Sequence, residues 1–76
     1  MNERNKEMLV RFVSRKLDMC KSDYSDTVKL LHFLTEYATI MSMKVVDVYQ
    51  AAINLKMGDV EAIELERQEV EDFYKA

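Results

Sequence analysis

The sequence contains no proline, no tryptophan, one glycine, one cysteine and one histidine in 76 residues. Each shortage excludes something. With no proline and its only glycine at position 58, the chain lacks the punctuation that many short strands joined by tight turns require, so a sandwich or barrel is excluded. Cys20 stands alone and cannot close an intramolecular disulfide. One histidine and one cysteine cannot furnish the usual ligand set of a zinc site, and no metal or other cofactor is expected. The most apolar stretch, Val28 to Leu55, is broken by Lys29, His32, Glu36, Lys44 and Asp47, so no run approaches the roughly 20 uncharged residues that span a bilayer. The opening MNERNKEMLVRF is charged where a secretory signal needs an apolar core, and the expected location is a cytoplasm.

Apolar residues make up 49% of the chain and charged residues 33%, a balance that supports a packed core. The expected fold is all-α: a single compact domain over residues 1–76 with three to four helices, the central two largely buried. A domain of this length buries only about 60% of the surface its unfolded chain exposes, which leaves its stability marginal.

The periodicity places the first helix at about 2–20, with Asn2 as its cap and Glu3 favourable in the first turn. Leu9, Phe12, Val13, Leu17 and Cys20 recur at three- and four-residue steps and form its core face. Arg4, Arg11 and Arg15 form a basic stripe beside Lys16, and Glu7 is spaced to pair with Arg11. The segment KSDYSD then favours a turn, Ser25 caps a second helix over 26–41, and Asp26 lies in its first turn. Two apolar lines run along that helix, Val28–Leu31–Leu34–Ala38–Met41 and Leu30–Phe33–Tyr37–Ile40, a circumference wide enough to need more than one neighbour.

The pattern restarts at Val45 and predicts a third helix over 45–56. A continuous rod over Asp26 to Lys56 is the alternative, but at ~1.5 Å per residue it would be about 45 Å long, more than so small a domain usually holds. Gly58 is expected to end the third helix by a left-handed cap, and Asp59 to start a fourth over 60–74. There Val60, Ile63, Val70 and Tyr74 make a narrow apolar stripe with Arg67 on the same side, and Glu64–Arg67 and Glu71–Lys75 are spaced as ion pairs. The predicted core includes Leu30, Phe33, Leu34, Tyr37, Val45, Val48, Tyr49 and Ala52, with Met8 and Met41 among the buried methionines and Met19, Met43 and Met57 exposed near helix ends.

Catalytic machinery is not visible. The chain has no glycine-rich phosphate loop, no serine elbow and no carboxylate pair in an apolar setting. His32 and Glu36 are four apart, the spacing at which two side chains share a metal, but no second pair completes the site. Cys20, on the apolar line of its helix, reads as a small buried filler.

Function is therefore expected to be binding. Residues 1–29 carry seven Lys or Arg against five Asp or Glu, and residues 59–76 carry two against seven, so the chain is electrically polarised around a net charge of −3. Glu61, Glu64, Glu69, Glu71 and Asp72, with Glu66, are the expected face for a protein partner with a basic surface. A homodimer is expected to cover apolar surface left between Leu30 and Leu55. One alternative is a helix-turn-helix-like regulator contacting DNA through Arg4, Arg11, Arg15 and Lys16, against which stands a pI of about 5.1. Another, from size and charge alone, is a phage or mobile-element protein that inhibits a host protein.

Overall fold

The computed structural model describes residues 2–75. They form four helices and, among the described residues, no strand: α1 Glu3–Met19, α2 Asp26–Ile40, α3 Val45–Asn54 and α4 Val60–Lys75. Three of the four starts follow from short polar side chains that satisfy otherwise orphaned N–H groups. Asn2 Oδ1 accepts from the Asn5 N–H at 2.8 Å, Ser25 Oγ from Val28 at 3.3 Å, and Asp59 Oδ1 from Ala62 at 3.2 Å. Lys44 precedes α3 with no such bond.

The central segment is two helices, and its break needs no glycine. Ser42 adopts φ 53, with its N–H donating to Thr39 O at 3.3 Å while that of Met43 donates to Ala38 O at 2.8 Å. This is the Schellman arrangement, in which one left-handed residue turns the chain and satisfies the last carbonyls. The same motif ends α3, but at Lys56 rather than at the expected Gly58. Lys56 has φ 56, its N–H donates to Ile53 O, and the Met57 N–H donates to Ala52 O, both at 3.0 Å. Gly58, at φ 65, is a second left-handed residue in the same joint, where a Cβ would lie 2.6 Å from Leu30 Cδ2.

The helices pack in chain order: α1 against α2, α2 against α3, α3 against α4. Leu9 and Val13 from α1 meet Leu30, Phe33, Leu34, Tyr37 and Ala38 of α2, with Val48, Tyr49, Ala51 and Ala52 of α3 and Ile63 of α4 completing the buried set. Seven of the eight expected core residues are buried; Val45, in the first turn of α3, is half-buried. The two buried tyrosines find partners. Tyr49 Oη lies 3.0 Å from Thr35 Oγ1, and Tyr37 Oη donates to Asn5 O at 3.3 Å, tying α2 to the start of α1. Burial raises the Tyr37 phenol above its ordinary pKa.

Three residues assigned to apolar lines, and one methionine expected to be buried, do not reach the core. Val28 and Ile40 lie in the first and last turns of α2 and are exposed, Ile40 at 60%. Met8 lies one step outside the Leu9–Val13 face, and Tyr74, in the last turn of α4, is 79% exposed. Met43 and Met57, expected to be exposed, are half-buried against the core.

Candidate interaction surfaces

On α4, Ile63 is buried and Val60 and Val70 are half-buried, so this side faces α3. Arg67 shares it, with a side chain only 17% exposed, and draws two of the carboxylates expected to face a partner. Its Nε donates to Glu64 Oε2 at 3.1 Å and its Nη2 to Glu64 Oε1, a bidentate pair, while Nη1 donates to Glu71 Oε1 at 2.8 Å. The hydrogen bond from Arg67 holds the Glu64 carboxyl below the usual range, and the same contact raises Arg67. Glu71 therefore turns toward Arg67 rather than toward Lys75, the expected partner.

The opposite side of α4 keeps its charge. Glu61 and Glu69 are exposed, as is Asp72, whose Oδ1 accepts from Gln68 Nε2 at 3.1 Å. Positions 61, 65, 69, 72 and 73 fall on one stripe, so Leu65 and Phe73 lie among these carboxylates. They are 68% and 76% exposed. Phe73 meets Tyr74 edge to face, with ring centroids 5.6 Å apart. The sequence reading left out Leu65. Its four-residue spacing from Glu61 and Glu69 was the available signal, two positions off the buried Ile63.

On α1, Arg4, Arg11 and Arg15 are exposed and make no ion pair among the described residues. The expected Glu7–Arg11 pair is not formed; the pair within α1 is Glu3–Lys6 at 3.3 Å. Lys16 separates from the stripe and turns to α2, its Nζ 3.2 Å from Glu36 Oε1 and 5.5 Å from the Phe12 ring centroid. Between α1 and α2 lies an open groove of about 590 Å³ floored by Phe12, Tyr37 and Met41, flanked by Met8, Met19 and Ile40, and edged by Arg11 and Arg15. Met8, Phe12, Arg15 and Met19 follow one another at helical steps, a mixed stripe beside the core stripe. Assigning Met8 to the interior concealed it.

The remaining candidates carry no visible chemistry. The exposed His32 ring places Nε2 3.9 Å from Glu36 Oε2, and Lys16 takes the other oxygen of that carboxylate. No three His, Cys, Asp or Glu among the described residues are grouped to hold a metal ion. Cys20 is half-buried, and its backbone N–H donates to Leu17 O at 3.3 Å. As a recognition helix α3 has little to offer. Gln50 Nε2 donates to Asn54 Oδ1 at 3.0 Å, so two of its few polar side chains engage each other. No helix among the described residues is long and apolar enough to cross a membrane. No protein-family model, curated protein or solved structure matches the chain.

Proposed function

We propose that this chain is a non-enzymatic protein-interaction module, acting in a cytoplasm, whose working surface is the outer face of α4. One observation carries the reading: Leu65 and Phe73 stand exposed on the same stripe as Glu61, Glu69 and Asp72. Two large apolar side chains, each more than two-thirds exposed on one charged face, suit a contact surface better than a merely solvated one. In an interface the two have separate roles, apolar anchors giving affinity and like charges steering a basic partner toward them. The partner chemistry that fits is a protein surface with apolar sockets rimmed by lysine or arginine.

Glu64 and Glu71 drop out of the expected contact set because Arg67 already holds them. The test therefore replaces Glu61 and Glu69 with Gln and Asp72 with Asn, leaving the Arg67 network intact. In the native cell, photo-crosslinks placed along α4 should trap one partner through positions 61–73, and the triple replacement should lose it without loss of helicity by circular dichroism. Crosslinks that cluster elsewhere, or capture unchanged by the triple replacement, refute the assignment.

A further inference from the structure

We infer that the groove between α1 and α2 is a docking site for the outer face of α4 from a second copy of the same chain. The inference rests on the reading of α4 as an interaction surface and names its partner. Both faces intermix exposed apolar side chains with charged ones, and the charges have opposite signs. The groove offers Met8, Met19 and Ile40 with Arg11 and Arg15 beside them; α4 offers Leu65 and Phe73 with Glu61, Glu69 and Asp72. Arg11 and Arg15 have no carboxylate partner among the described residues, and no ion pair there joins α1 to α4. The complementary charges are thus present in every copy and unused within it.

The dimensions agree. Leu65 and Phe73 lie about 12 Å apart along α4, and Met8 and Met19 about 16 Å apart along α1, at ~1.5 Å of rise per residue. The apolar pair fits within the length of the groove. Methionine suits the flanks of such a groove, because its unbranched side chain adapts to whichever ring or branched residue settles against it. This is the helix-in-groove mode of recognition. It differs from the dimer expected through Leu30 to Leu55, where Ile40 is the sole large apolar side chain classed as exposed, the others being buried or half-buried.

The experiment is sedimentation velocity over a concentration series at low and physiological salt, with helicity of every variant checked by circular dichroism. Wild type should sediment above its 9.0 kDa monomer mass and dissociate as salt rises. Two variants should each weaken association on the order of tenfold or more: Arg11→Glu with Arg15→Glu in the groove, and Leu65→Ser with Phe73→Ser on α4. Mixed together they should form a one-to-one complex and nothing larger, because one keeps only α4 and the other only the groove. Arg4→Glu, on α1 but outside the groove, should associate as wild type does.

A wild type that stays monomeric throughout overturns the inference, as does a mixture that fails to associate or an Arg4→Glu loss equal to that of the groove variant. In each of these cases α4 crosslinks to a foreign protein would leave the proposed function standing and remove only its self-partner. Self-association without any foreign crosslink keeps the inference and makes the second copy the partner that α4 serves.

Discussion

Replacing Gly58 with alanine tests whether the α3–α4 joint is set by backbone conformation or by packing. Conformation alone does not explain the glycine, since Ser42 and Lys56 hold φ 53 and φ 56 with side chains attached. What distinguishes position 58 is Leu30, whose Cδ2 would lie 2.6 Å from the added Cβ. Leu30 is 5% exposed, so the added Cβ must push a core side chain aside, and the open groove of about 320 Å³ that Leu30 and Gly58 both line is where its methyl can go. The left-handed conformation costs a non-glycine residue ~1 kcal/mol. Displacing a packed core side chain adds ~1 to 3 kcal/mol, for a total of about 2 to 4. A domain of this size has roughly 4 to 11 kcal/mol of stability, at ~0.05 to 0.15 per residue, so Gly58→Ala should remove a large share of it.

Urea unfolding followed by circular dichroism reads the loss, and the Leu30→Ala background separates its parts. With Leu30 truncated, the added Cβ meets nothing, and the Gly58→Ala penalty should fall to ~1 kcal/mol, a coupling of about 1 to 3 kcal/mol between the sites. Because Leu30→Ala itself costs ~2 to 5 kcal/mol, both backgrounds are best compared in a stabilising osmolyte. A Gly58→Ala protein within ~0.5 kcal/mol of wild type, or a penalty the same in both backgrounds, refutes the reasoning.

Two further outcomes are expected. The Glu64 carboxyl is held below its ordinary range by Arg67, so its contribution to stability is complete above the unfolded carboxylate pKa and is lost as pH falls through the lowered folded one. Arg67→Met keeps the packed stem and removes the charge; its melting temperature should fall less steeply with acid than that of wild type, and parallel curves would show that the pair contributes nothing. In a mobility-shift assay on random duplex DNA at low salt, the chain should give no shifted band. A band that survives physiological salt and disappears on Arg11→Glu with Arg15→Glu would instead make the α1 stripe a phosphate-contacting surface.

The elements were legible where a local rule acted alone. Asn2, Ser25 and Asp59 each bond a backbone N–H three residues on, and the helices begin where these residues and the apolar period place them. The α3 terminus was misplaced because the glycine signal at 58 outweighed Lys56; Gly58 is itself left-handed, and the close approach of Leu30, 28 positions earlier, is a contact that no local window contains. The burial of Met8, Val28, Ile40 and Tyr74 was misread for a related reason. Periodicity tells which side of a helix is apolar, but not which residues on that side the neighbouring helices cover. At the site, the spacing of Glu64, Arg67 and Glu71 announced possible pairs, whereas the choice of Glu71 between Arg67 and Lys75 depended on Arg67 being the more enclosed cation.

The opposite charges of the two outer helices stay apart because of the order in which the helices pack. Each helix lies chiefly on its neighbours in sequence, so α1 shares its longest seam with α2 and α4 with α3. Had α4 folded back along α1, as in a closed up-and-down bundle, Arg11 and Arg15 could have met Glu61 and Glu69 within one molecule. Instead the ion pairs that form are short-range within a helix, as in Glu3–Lys6 and Glu64–Arg67–Glu71, or join α1 to α2, as in Lys16–Glu36. Exposed pairs of this kind are weak, so leaving Arg11 and Arg15 unpaired costs the monomer little. Beside an apolar groove the same charges would attract an opposite charge more strongly once water is excluded, against the cost of desolvating both. A sequential stack whose outer helices carry an excess of opposite sign is thus nearly indifferent to that charge separation as a monomer.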